Sequence, residues 1–201
     1  LLKFSKLSNE PFLNTRETEY LNKTLQVPVI SLNKNKSDLI DLSLINFKRT
    51  NQKGLNYDQL LDKINTGFVK LKSNLKKNKV LKEKHLEKVS VGCIVAARLK
   101  SSRLRRKALL KIGDLTSIEL CLKNCLKFDG IEKVVLATSI LDEDKELENY
   151  TYSNKVIFRR GDPENVTKRY LDIIKEFDIE TFVRVTGDMP LVSKEIFKFL
   201  L

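Results

Sequence analysis

Residues 91–107 read VGCIVAARLKSSRLRRK. Val91–Ala97 is an unbroken apolar run, the pattern of a strand buried on both faces of a parallel sheet. The loop that follows, Ala97–Lys107, carries Arg98, Lys100, Arg103, Arg105, Arg106 and Lys107, with hydroxyls at Ser101 and Ser102. Ligands of open α/β sheets sit outside the carboxyl ends of the strands, so a cationic loop at this point is a candidate phosphate site. Guanidinium forks and short hydroxyl donors suit the non-bridging oxygens of a triphosphate. A solvated basic loop is the other reading of the same residues.

The pattern continues downstream. Thr116–Phe128 has Ile118, Leu122 and Cys125 at helical spacing, Lys133–Ala137 is a second buried strand, and Val156–Phe158 is a shorter third. Val166–Phe177 is an amphipathic helix, Thr181–Val185 a further strand, and Ser193–Leu201 opens another helix. This order predicts an α/β sandwich with a mostly parallel sheet. Two more strand ends then attract attention. Thr186-Gly187-Asp188-Met189-Pro190 offers a carboxylate beside a glycine that lets backbone approach closely. Opposite a cationic loop, Asp188 suits Mg²⁺, which is commonly held by one or two carboxylates plus substrate phosphates; a helix N-cap or turn aspartate is the alternative. Thr138 and Ser139, with Asp142 and Asp144 just beyond, suit a base or ribose, or simply a polar turn.

IVAARLKSSRLRRKALL, VVLATSILDEDKE, FRRGDPENVTKRY and VRVTGDMPLVSKEI, in this order and spacing, resemble the cytidylyltransferases of spore-coat polysaccharide biosynthesis. They are more distantly similar to the enzymes that make CMP-activated sialic acid and 3-deoxy-octulosonate. The likeness covers residues 90–201 and implies a Rossmann-like nucleotidyltransferase sandwich. It also implies CTP and a sugar or sugar acid as substrates, with Mg²⁺ as cofactor. Arg98 and Lys107 would be catalytic, with Ser102 and Arg103 also holding the triphosphate. Ser101, Thr138 and Ser139 would complete the nucleotide site, Asp188 would hold the metal, and Arg160 and Arg169 would lie near the sugar or nucleotide. The sequence departs from the family loop, which reads close to ARxGSxRLPGK: Lys100 stands for the first glycine and Arg105-Arg106 for Pro-Gly. Asn165 stands where an aspartate is usual. Leu1 reads as an internal start, and the family pattern reads as truncated at its carboxyl end.

Before Ser90 the composition changes. Residues 1–26 are polar and Asn-rich without a firm period, and read as a tail or linker. Residues 27–89 show Val27–Leu32 and Ile45–Arg49 as strands, Gly54–Ile64 as a helix and Phe68–Leu71 as a third strand. A step at Asp38–Leu44 returns at Val80–Leu86. VPVISLNKNKSDLIDLSLINFKR, GLNYDQLLDKINTGF and KSNLKKNKVLKEKHLEKV resemble the antifreeze-like (SAF, β-clip) domain at the carboxyl end of sialic acid synthases. That likeness implies a small, mainly β domain, with Lys48 and Arg49 where the family places a basic substrate contact. Together the two halves point to a fused synthase–cytidylyltransferase for an acidic sugar.

The net charge of +12 is concentrated in the first 89 residues, where 18 Lys and Arg face 9 Asp and Glu. Residues 90–201 hold 20 against 17. The front lysines are mixed with Asn, Ile and Leu rather than with Arg and stacking aromatics, so nucleic acid is not an expected partner. No run of 18 apolar residues exists, so a membrane span is not expected either. Cys93, Cys121 and Cys125 are odd in number and form no CxxC pair; they read as buried thiols of a reducing compartment, the cytoplasm. A homo-oligomer is expected. The competing class is a non-catalytic module whose altered loop binds nucleotide sugar without turnover.

Overall fold

The computed structural model describes residues 14–100, 104–152 and 155–200. They divide into two compact units, one formed by residues up to 64 with 69–87, the other by 65–68 with residues from 88 onward.

The first unit opens with helix α1 (Thr15–Thr24), where hydrophobic spacing predicted none. Its start is fixed by a capping box. The Asn14 side chain accepts from Glu17 N–H, and the Glu17 carboxylate accepts from Asn14 N–H. Strands β1 (Gln26–Ile30), β2 (Leu39–Ile40) and β3 (Ile45–Arg49) follow, then helix α2 (Tyr57–Thr66) and strands β4 (Val69–Leu71) and β5 (Leu86–Lys88). β1 and β3 pair antiparallel, and β2-β4-β5 form a second small sheet. Single 3-10 turns occupy Leu42–Leu44 and Glu83–His85.

Residues 30–44 and 71–85 of this unit are counterparts that exchange hydrogen bonds. Ile30 N–H donates to Lys79 O (3.1 Å) and Leu71 N–H to Asp38 O (3.0 Å). Ser37 N–H donates to Leu71 O and Asn78 N–H to Ile30 O, both at 2.8 Å. Lys34 and Leu75 exchange both of their backbone bonds. The side chains of Asn74 and Asn33 accept from Lys36 N–H (2.7 Å) and Lys77 N–H (2.8 Å). Ser37 and Asn78 occupy matching left-handed positions, with φ of 72° and 66°. The core between the two copies contains Ile30, Leu60, Leu71 and Leu81.

The second unit is built on the sheet predicted from its apolar runs. Its elements are β6 (Val91–Ala96), the hairpin β7 (Lys111–Ile112) and β8 (Leu115–Thr116), α3 (Ser117–Cys125) and β9 (Lys133–Ser139). α4 (Asp142–Lys145), β10 (Ile157–Gly161), α5 (Val166–Phe177), β11 (Thr181–Thr186) and α6 (Lys194–Leu200) complete it. The main sheet has the order β10-β9-β6-β11, every pair parallel. Alternation sorts its side chains. Cys93, Val95 and Leu136 face the α3 side, whereas Ile94, Val135 and Ala137 face Tyr170 and Ile173 of α5. A sheet covered on both faces by helices leaves its strand ends as the exposed concave edge. Among the described residues, no helix is long and apolar enough to cross a membrane.

Candidate active site

The cationic loop begins where β6 ends. Arg98 donates from Nη1 to the Pro163 carbonyl (2.7 Å) in the segment between β10 and α5. Arg106 N–H closes the loop's base on Leu99 O (3.0 Å). Arg106 itself has φ 53° and ψ 29°, the left-handed region, at the position where the resembled family loop has glycine. Its guanidinium meets both oxygens of Glu146 at 2.6 Å. Lys107 then opens a 3-10 turn and forms an ion pair with Asp188.

Asp188 is brought there by β11. Gly187 N–H donates to Ala96 O (2.8 Å), and a Cβ at Gly187 would lie 2.7 Å from the Ala97 Cβ and 2.9 Å from Ile118 Cδ1. Only glycine allows this approach, which sets the carboxylate beside the loop. The Lys107 ammonium, and next the Thr186 hydroxyl, hold the Asp188 carboxyl below its ordinary range. It remains about two-fifths exposed. A carboxylate kept ionised and open to solvent, next to the Lys107 ammonium, fits Mg²⁺ shared with a substrate. Among the described residues no group of three or more His, Cys, Asp or Glu could hold a metal by itself.

Of the other expected site residues, Ser139, Arg160 and Arg169 have protein partners. Thr138 and Ser139 are fully buried. Ser139 Oγ donates to the Asp144 carboxylate and accepts from Leu141 N–H, while the Thr138 hydroxyl has no hydrogen-bond partner among the described residues. Arg160 donates to the carbonyls of Ser139, Ile140 and Leu141, tying β10 to the end of β9. Arg169 is 3% exposed and donates to Asp162 O at 2.5 Å. Its stem fits because Gly161 lacks a Cβ, which would lie 2.9 Å from Arg169 Cγ. Burial, and next the Arg98 charge, lower its pKa from the usual guanidinium value. Arg160 and Arg169 thus act as clamps on backbone carbonyls. Arg49 ends β3 in the first unit, opposite Gln26. Ser101, Ser102 and Arg103 lie outside the described residues. Asp144 and Glu146 contact the loop and its neighbours; sequence marks Asp144 only as lying just beyond Thr138 and Ser139 and does not single out Glu146, the acidic run after the second strand being its only signal.

A parallel sheet with cations and a carboxylate at its carboxyl edge has the α/β nucleotidyltransferase arrangement. In agreement, a cytidylyltransferase from Leptospira borgpetersenii superposes with a TM-score of 0.52 at 33% identity, over 55% of this chain and 47% of that one. The chain belongs to the cytidylyltransferase family, whose profile matches residues 92–201. It is 35% identical over 103 residues to an uncharacterized protein of Methanocaldococcus jannaschii, covering 51% of this chain and 42% of that protein. It is 28% identical over 99 residues to a 3-deoxy-manno-octulosonate cytidylyltransferase of Escherichia coli, covering 49% of this chain and 39% of the relative. The chain therefore spans about two-fifths of the length of these two curated relatives.

Proposed function

We propose that the second unit takes part in transferring CMP from CTP to a sugar, an acidic one by the reading that its Escherichia coli relative supports. The observation that carries this is the pairing of Lys107 with Asp188 at the carboxyl edge of the sheet, with Arg98 on the same loop. Arg98 and Lys107 bind the triphosphate and offset charge as the sugar oxygen attacks the α-phosphate and pyrophosphate leaves. Ser101, Ser102 and Arg103 stand between Arg98 and Lys107 in sequence and are assigned to the nucleotide. Mg²⁺, held by Asp188 and the phosphates, would supply charge neutralisation at the triphosphate. Positioning and fixed charge suffice for such a displacement, without a covalent enzyme intermediate.

Calorimetry of CTP binding with and without Mg²⁺ tests the assignment. The wild type is expected to bind more tightly with Mg²⁺. In Asp188→Ala that enhancement disappears, while metal-free binding is retained or improved because Lys107 is released from its partner. Equal Mg²⁺ enhancement in both proteins would remove Asp188 from the metal site.

A second reading, a nucleotide-sugar binding module without turnover, draws on the replacement of the loop glycine by Arg106. Pyrophosphate release in the presence of acidic sugars separates the two: release supports transfer, and tight binding without it supports the module.

For the first unit we propose the SAF (β-clip) class, as in sialic acid synthases, within a fused synthase–cytidylyltransferase. The exchanged hydrogen bonds between residues 30–44 and 71–85 support it, and Arg49 is then a substrate contact. An experimental structure of residues 27–89 that does not superpose on such a domain would end this assignment. Homo-oligomer formation belongs to the same proposal, and sedimentation at monomer mass would oppose it.

A further inference from the structure

Leu99 lies between Arg98 and Lys100, at the base of the cationic loop, and is 2% exposed. Both of its backbone groups are held. Its carbonyl accepts from Arg106 N–H, and its N–H donates to Asp144 Oδ1 at 2.6 Å. Asp144 sits on α4 and is fully buried, an expensive place for a carboxylate unless its oxygens are satisfied. They are: Oδ1 takes the Leu99 amide and Oδ2 takes the Ser139 hydroxyl. Two residues further on, Glu146 holds the Arg106 guanidinium. One short acidic segment therefore grips the loop at both sides of its base. This matters more here because the loop has arginine where the family has glycine, so backbone freedom alone does not set its shape.

We propose that Asp144, buttressed by Ser139, is a positioning residue for the nucleotide loop: it fixes Leu99 and so aims Arg98 and Lys107. The proposal rests on the nucleotide reading given above. It reassigns Ser139 from ligand contact to support, and it makes Asp144 act through backbone rather than through substrate.

The test uses the 201-residue chain. Asp144→Ala leaves the Leu99 amide without an acceptor. Its hydrogen exchange, compared with amides in the middle of β9 and α5, is expected to speed by about tenfold or more. CTP affinity is expected to fall about tenfold. Asp144→Asn keeps an oxygen for Leu99 and is expected to restore both quantities to within about threefold. Wild-type protection of Leu99 in Asp144→Ala would overturn the proposal, and so would lost protection with unchanged CTP affinity. Should Asp144→Ala not fold, Ser139→Ala serves, since it removes the hydroxyl behind Oδ2, and with it the acceptor of Leu141 N–H, while leaving the Asp144 carboxylate in place. Faster exchange at Leu99 then supports the positioning role and wild-type exchange overturns it. If the wild type takes up no CTP, it is the nucleotide reading that fails, and the Leu99 amide alone decides what Asp144 does.

Discussion

Arg106 holds a left-handed backbone that side chains with a Cβ adopt only at a cost. Its compensation is an ion pair with Glu146, exposed enough to be screened by salt. Arg106→Gly should therefore raise the melting temperature, by about 1–3 °C after glycine's own entropy is counted. Differential scanning fluorimetry checks this, and a drop of several degrees would mean that the Glu146 pair is the stronger effect. At this scale the sequence was informative about charge and silent about partners. Lys107 and Asp188 could be placed because strand ends were legible from apolar runs. Ser139, Arg160 and Arg169 could not be separated from ligand contacts, because their partners are carbonyls and a carboxylate that only the folded chain brings near. The Leu99–Asp144 bond joins residues 45 positions apart, and nothing local announces it.

Among the elements, those with a strong period were found close to their predicted bounds. Val166–Phe177 forms α5 over its whole predicted length, and Ile45–Arg49 forms β3. α1 escaped because it lacks a continuous apolar stripe, although Asn14 and Glu17 already stood at capping-box spacing. The β7–β8 hairpin escaped because each strand has only two residues. Its turn contains Gly113, at φ 62°. The repeated step of the first unit was visible in sequence; its exchanged bonds were not. They lead to a paired expectation. Asn33→Ala and Asn74→Ala each remove one side-chain acceptor from a backbone N–H of the opposite copy. Each should destabilise the chain by about 0.5–1 kcal/mol, and the two losses should agree within about 0.5 kcal/mol. Urea unfolding of both variants measures this, and a clearly unequal pair would show that the copies differ in energy despite matching in geometry.

For the whole molecule, acid sensitivity near neutrality is assigned to a single group. His85 is the chain's sole histidine and is buried. Its Nδ1 accepts from Lys82 N–H at 3.2 Å, which fixes the neutral ring. Burial first, then Lys84, Lys79 and Lys82, lower its pKa from the ordinary histidine value. The unfolded chain consequently takes up a proton first as pH falls. Stability is full above about pH 6.5 and declines below it, by at most about 1.4 kcal/mol per pH unit for one proton. The depressed carboxyl of Asp188 acts in a separate window. Its contribution is present above the ordinary aspartate range and fades only as pH drops through its lowered value. Thermal melts at pH 7.5 and 5.5 should show a lower transition at 5.5 that His85→Asn abolishes; an unchanged difference would assign the effect to other groups.

Cys93, Cys121 and Cys125 are all inaccessible in the core of the second unit, and the first unit has no cysteine. Cys121 and Cys125 also have thiol pKa values pushed above the ordinary range, Cys121 chiefly by its hydrogen bond to Cys125 and then by burial; at Cys125 the hydrogen bond with Cys121 pulls the value down, and the Cys93 contact and burial together outweigh it. An alkylating reagent therefore meets no reactive sulfur until this core opens. The rate of modification becomes a stopwatch for that opening, and a bound nucleotide would be read as a slowing of its hand.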